Sequence, residues 1–366
     1  MTYQDTTAAL GVAVAAKAPI ILWGAPGQGK TSVLEAIAAD TGRMLRTVLA
    51  SIREPSDFAG LPNIVEGKTR LIAPDWAQDI AEEGNGILFF DEISTAPPAT
   101  QAAMLRVALD RVAGDLYLGD NVSIVAAANP PEIAADGWDL AAPMANRFCH
   151  IDWSLPADVV RDGFSIGWPE IPIPVIDPTV LARETAEGRL LVGAFLGARP
   201  DLVTVIPVAT AEAGRAFPTP RSWEMAAHLY AYATAANISG TARRMLITGS
   251  VGQAAAAEFL AYIADLDLPD PETLLADPSS FVAPTRGDRV YAIGASVLAA
   301  VKGNNTPERW KAAGKVVAAI AKAEHSDVAV AIGKRWMGIR PSHDVMPDAE
   351  SLKALTPILK AAKLIA

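Results

Sequence analysis

Gly24-Ala25-Pro26-Gly27-Gln28-Gly29-Lys30-Thr31 has the form G-x-x-x-x-G-K-[ST], with Ser32 following. Glycines in such a loop let the backbone curl until successive N–H groups point inward, where they can hold phosphate oxygens that side chains would obstruct. A helix starting near Gly29 adds the positive end of its dipole. Lys30 supplies a full charge beside the β- and γ-phosphates, and Thr31 offers a hydroxyl to Mg²⁺. A Gly/Pro-rich structural turn is the plainer alternative. Against it, an apolar run (Pro19–Trp23) precedes the loop and a helical pattern (Ser32–Ala39) follows.

Five further residues carry chemistry. Ile87-Leu88-Phe89-Phe90 runs into Asp91-Glu92, so a buried strand would deliver two carboxylates at its C-terminal end, where parallel sheets bind ligands. Asp91 suits Mg²⁺, and Glu92 suits polarisation of an attacking water. Val122–Ala128 ends in Asn129-Pro130, which places an amide able to orient that water between Glu92 and a γ-phosphate. Taken alone, Asn before Pro would be a turn. Arg147, in Ala145-Asn146-Arg147-Phe148, falls at the rim of its own site, within reach of a neighbouring subunit's γ-phosphate. Arg221 follows Thr219-Pro220, a well-specified helix start, and a cation in a first turn is disfavoured unless an anion lies nearby. Arg221 therefore reads as a nucleotide sensor.

The elements that must position these groups can be sketched. Strands are expected near 19–23, 45–50, 86–90, 122–128 and 148–152, and helices at 29–40, 74–83 and 98–112, giving a parallel sheet covered by helices. Asp115–Leu118, with a Gly119-Asp120-Asn121 turn before the fourth strand, reads as a β-hairpin. Residues 166–178 hold four prolines and read as a linker or surface excursion. From Thr219 the pattern is helical, with breaks at Gly240, around 268–286, at Gly303 and around 341–347. Within 306–322, Trp310, Ala313, Val317 and Ile320 share one helical face, while Lys311, Lys315 and Lys322 lie on another.

Composition narrows the class. The chain has 366 residues, is 51% hydrophobic and 20% charged, and so is not disordered. Mean hydropathy is +0.23, yet the longest apolar stretch, Ala8–Trp23, is interrupted by Lys17 and too weak to span a bilayer. The start lacks a basic n-region, and the single Cys149 permits no intramolecular disulfide; both fit a cytoplasmic protein. His150, His228, His325 and His343 are scattered and offer no zinc spacing. The net charge of −10 disfavours non-specific nucleic-acid binding. Residues 281–366 instead carry a balance of +6, either a solvated helix face or a docking surface.

In order and spacing these elements resemble the AAA+ ATPases, and among them the MoxR-like branch, over roughly residues 1–270. The resemblance makes Gly24–Thr31 the Walker A motif, Asp91 and Glu92 Walker B, Asn129 sensor 1, Arg147 the arginine finger and Arg221 sensor 2. Glu54–Pro62 is similar to the segment after the second strand, which in this branch often carries an inserted hairpin facing a central pore. The hairpin at 115–128 looks like the pre-sensor-1 insertion. The resemblance implies an α/β five-stranded P-loop domain of strand order 5-1-4-3-2, followed by an α-helical lid and a C-terminal helical extension. Expected limits are 1–155 for the core, 156–218 for a connecting segment, 219–285 for the lid and 286–366 for the basic extension. It further implies ATP and Mg²⁺, a homo-oligomer of hexameric ring form, and a protein partner such as one with a von Willebrand factor A domain. Remodelling or activating that partner is the leading function. A nucleic-acid motor or loader on the same core is one alternative, and a nucleotide-gated scaffold with little turnover is another.

Overall fold

Apolar runs of four to six residues, bounded by glycine or polar residues, become strands, and the longer periodic stretches between them become helices. A computed structural model describes residues 2–130, 138–266, 268–323 and 325–361. Along the chain, α1 (Tyr3–Ala15) leads to β1 (Ile20–Trp23), the glycine-rich loop and α2 (Lys30–Thr41). β2 (Met44–Leu49) is followed by the short α3 (Ser56–Ala59), a hairpin of β3 (Leu61–Val65) and β4 (Lys68–Ile72), α4 (Asp75–Glu83) and β5 (Gly86–Asp91). Then come α5 (Pro98–Asp110), a small hairpin of β6 (Val112–Ala113) and β7 (Leu116–Tyr117), β8 (Ser123–Ala128), the single turn α6 (Ala142–Ala145) and β9 (Cys149–Asp152).

Five parallel strands form the central sheet in the order β2-β5-β8-β1-β9; counted among themselves along the chain they run 2-3-4-1-5. Alternation sends successive side chains to opposite faces. Ile20, Leu22, Ile87, Phe89, Val125 and Ala127 pack in one layer, and Ile21, Trp23, Leu88, Phe90, Ile124 and Ala126 in the other. The inner strands β1, β5 and β8, covered on both faces, are almost wholly apolar, while the edge strands carry Arg46, Thr47, His150 and Asp152. Phe58, Trp76 and Phe90 pack edge-on or tilted at 5.9–6.3 Å and seat α3 and α4 on the second face. In register, Trp23 lies beside Ala128 and Asp152, and Leu49 beside Asp91. The loop after β1, the acids after β5 and Asn129 therefore share one edge.

Two expectations need correction or refinement. The hairpin does not turn at Gly119-Asp120-Asn121: β7 pairs with β6, and the chain reverses at Gly114-Asp115. Gly114 is at φ +58° and its Cα packs against the backbone of the other hairpin, a place with no room for a Cβ. The proline-rich excursion, between α7 (Ala157–Ser165) and α8 (Pro178–Ala198), is not wholly exposed, since Ile171 is buried and the Pro172 carbonyl rests on Gly11 of α1.

The chain divides into two compact units, 1–176 with 202–257, and 177–201 with 258–366. The first is completed by α9 (Thr210–Ala213), α10 (Pro220–Ala235) and α11 (Gly240–Val251), and the division falls within α12 (Gln253–Leu266). The second is all-helical: α8, α13 (Pro271–Ala276), α14 (Gly287–Gly303), α15 (Pro307–Lys322), α16 (Ser326–Gly338) and α17 (Ala349–Ala361). α8, from the stretch read as connecting, packs on α14 there because Leu191, Val192 and Phe195 need an apolar partner. Trp310, Ala313, Val317 and Ile320 are fully buried. The Trp310 and Trp336 indoles stack at 4.4 Å, and each donates to the other's carbonyl, at 3.0 and 2.9 Å. Residues 362–366 of the basic extension lie outside the described residues.

Candidate active site

The glycine-rich loop is built to curl. Gly27 and Gly29 lie at φ +76° and +70°, where an L side chain is strained, and a Cβ on Gly24 would collide with the Trp153 carbonyl. Gly29 caps α2 without any side-chain acceptor, so the first-turn N–H groups stay open to the loop. Gln28 braces the loop from behind: its carbonyl accepts from Trp153 Nε1 at 2.8 Å, and its Oε1 accepts from Leu155 N at 2.9 Å.

Lys30 is buried and donates to the Gly24 carbonyl at 2.5 Å, the Ala25 carbonyl at 3.1 Å and Asn129 Oδ1 at 3.0 Å. Burial lowers its pKa, against the opposing pull of Asp91 and Glu92. Thr31 Oγ1 donates to Asp91 Oδ2 at 3.3 Å, bringing a hydroxyl and a carboxylate together as hard oxygen donors of the kind Mg²⁺ takes. After β5 the chain turns sharply, with Glu92 at φ +55° and its N–H donating to Asp91 Oδ1 at 2.9 Å. A chamber of about 150 Å³ is lined by Gly27, Lys30, Asp91, Glu92 and Asn129 together. On the other side of the loop, an apolar cavity of about 400 Å³ is bounded by Gly27, Gly29, Val33, Trp153, Phe164 and Trp168.

Arg147 and Arg221 are not among the residues lining that chamber. They lie within electrostatic range of each other: the Arg147 pKa is lowered first by burial and then by Arg221, with Asp110 pulling the other way. Arg147 donates to the Pro143 carbonyl, while its buried Nε has no hydrogen-bond partner among the described residues. The helix start read from Thr219 and Pro220 is present, with Thr219 Oγ1 accepting from Ser222 N at 3.2 Å. Sequence reasoning missed two orienting serines. Ser51 Oγ donates to Glu92 Oε2 at 2.8 Å, and Ser94 Oγ accepts from Asn129 N at 3.3 Å. Nothing in the local sequence of either marks it.

Residues 20–148 match the model of the ATPase family associated with various cellular activities (AAA). Over this stretch the chain is similar to that family. The ATPase family gene 2 protein homolog B of Homo sapiens is 31% identical over 156 residues, 40% of this chain and 19% of that protein. The ribosome biogenesis ATPase RIX7 of Saccharomyces cerevisiae is 30% identical over 154 residues, 39% of this chain and 17% of that protein. The chain thus spans about a fifth of the length of the curated relatives it matches. A solved full-length MCM homolog from Methanopyrus kandleri aligns at TM-score 0.36 and 13% identity, over 66% of this chain and 55% of that one. The matched stretch contains the whole chamber, and Arg147 lies at its end. Among the described residues no helix is long and apolar enough to cross a membrane.

Proposed function

We propose that this protein binds and hydrolyses ATP as a MoxR-like AAA+ ring ATPase that remodels or activates a protein partner. The single observation that carries the reading is the chamber where Lys30, Asp91, Glu92 and Asn129 converge beside the glycine loop. The nucleobase fits the apolar cavity against Val33, Phe164 and Trp168, and the phosphates cross the loop into the chamber. Backbone N–H groups and Lys30 hold the β- and γ-phosphates. Mg²⁺, held by Thr31 and Asp91, would neutralise charge on those oxygens. Glu92 takes the proton of the attacking water as it adds in line to the γ-phosphorus, and Asn129 orients that water. ADP and inorganic phosphate leave.

Glu92→Gln tests the assignment. It should keep nucleotide affinity within about threefold and lower turnover by roughly 10²–10⁴-fold, the usual share of a general base. Unchanged ATPase activity would remove Glu92 from the mechanism.

The wider reading concerns assembly. Of the lid expected over 219–285, α10 and α11 belong to the unit that carries the chamber; Arg221 senses the nucleotide of its own subunit, and Arg147 reaches the triphosphate of the next one in a hexameric ring. The β3–β4 hairpin, whose Leu61, Ile64 and Ile72 are all exposed, offers apolar surface to a protein client, and a von Willebrand factor A-domain protein is the partner class proposed. Lys68 and Arg70 are exposed on the same hairpin and favour the nucleic-acid alternative. Stimulation of ATPase activity by single-stranded DNA at physiological salt would promote it.

A further inference from the structure

A buried polar chain links the root of the phosphate loop to the two rim arginines. Trp23, the residue before Gly24, donates from Nε1 to His150 Nδ1 at 2.9 Å, with the two rings stacked at 14°. Because Nδ1 accepts, the proton sits on Nε2, which donates to the Ala145 carbonyl at 2.9 Å. The next residue, Asn146, is buried and uses both ends of its amide. Nδ2 donates to the Phe217 carbonyl at 2.8 Å, and Oδ1 accepts from Thr219 Oγ1 at 2.6 Å. Thr219 in turn caps α10 through Ser222 N. One amide therefore touches the residues flanking both cations: Arg147 follows Asn146 in the chain, and Arg221 stands in the first turn of the helix it fixes. Arg215 braces the other end, its guanidinium 4.1 Å from the Trp23 ring centroid and paired with Asp152 at 3.1 Å.

This arrangement differs from routine core satisfaction in what it holds. Arg147 and Arg221 repel each other, and Asp110 offsets that repulsion only in part. Left to itself, a pair of like charges on two separate segments would drift apart. A buried amide bonded at both its nitrogen and its oxygen is held firmly, since breaking either bond strands a polar group away from water. The neutral imidazole, its pKa held near 4 by burial, adds no third charge.

We propose that Asn146, backed by His150 and Trp23, is a positioning residue that holds the segments bearing Arg147 and Arg221 in fixed register with each other and with the phosphate loop. The inference rests on the ATPase reading above.

The test is a mutant cycle read in kcat, KM and amide exchange on the full-length assembled protein with ATP and Mg²⁺. Asn146→Ala should lower kcat by about tenfold or more, as an angstrom-scale misplacement does, with KM for ATP within about threefold. In an Arg221→Ala or Arg147→Ala background the same change should add little, because the group it positions is gone. Amide exchange at Ser222 and Trp223 should speed up in Asn146→Ala without nucleotide. Should that variant fail to fold, isosteric Thr219→Val makes the same test, and Thr219→Ser, which keeps the hydroxyl, should recover most of the kcat that Thr219→Val loses. Wild-type kcat in Asn146→Ala, fully additive losses, or unchanged exchange would each overturn the inference while leaving the ATPase reading intact. An inactive wild type would overturn both.

Discussion

Glu92 and His150 represent two ways in which a residue is held away from its ordinary state. The left-handed backbone at Glu92 costs a residue with a Cβ about 1–2 kcal/mol, and the hydrogen bonds from Ser51 and to Asp91 offset it while aiming the carboxylate at the chamber. His150 is held neutral by burial, at a pKa of about 4 against the ordinary 6.5. Between those values the unfolded chain binds a proton that the folded chain refuses. The histidine's contribution is therefore complete above about pH 6.5 and is lost as pH falls toward 4, by about 3 kcal/mol. Urea midpoints at pH 7.5 and pH 5 should show about 2 kcal/mol of this loss, and His150→Gln should make it shallower; parallel slopes would clear His150 of the effect. Gly24–Thr31, Asp91, Glu92 and Asn129 are legible in the sequence because each motif's chemistry lies in contiguous residues beside an apolar run. Ser51, Ser94 and Asn146 are not, because they act through partners 41, 35 and 73 positions away. Only the folded sheet edge brings those pairs together.

At the scale of elements, the loop after β1 is clamped between α2 and the segment following β9. A methyl group on Gly24 would enter the Trp153 carbonyl, and backbone cannot yield as a flexible side chain does. Gly24→Ala is therefore expected to cost about 1–3 kcal/mol and to weaken nucleotide binding with it. Chemical denaturation and a fluorescent-nucleotide titration would check both, and a variant of full stability and affinity would show the clamp to be loose. The five strands of the sheet were readable to within a residue or two, since the inner ones are short apolar runs buried on both faces and the edge strand β2 keeps an apolar start and end between turn residues. The small hairpin was not. Gly114 and Gly119 both stand at positive φ, and only the packing of Gly114 against the neighbouring hairpin decides which one turns the chain.

The whole molecule raises two questions that single sites do not. If Arg147 acts across a subunit seam, mixing Arg147→Ala with Lys30→Ala should restore part of the ATPase activity that each lacks, because some interfaces then pair an intact loop with an intact arginine. Mixed assemblies with no activity would confine Arg147 to its own subunit. The second question concerns α8, which precedes α10 and α11 in the chain yet packs with helices that follow them. Removing residues 258–366 would strip Phe195 of Phe259, 5.3 Å away between centroids, and of α14. Such a truncation should bind a hydrophobic dye or aggregate, as seen by light scattering; a soluble, dye-silent product would show that α8 needs no cover. The same topology bears on biosynthesis. On the ribosome α8 emerges on the order of ten seconds before its partner α14 is complete, at ordinary elongation speeds. For that interval a sticky helix stands uncovered although every strand of the sheet has already been made, so the tempo of translation between residues 199 and 286 becomes a determinant of how much chain is recovered intact.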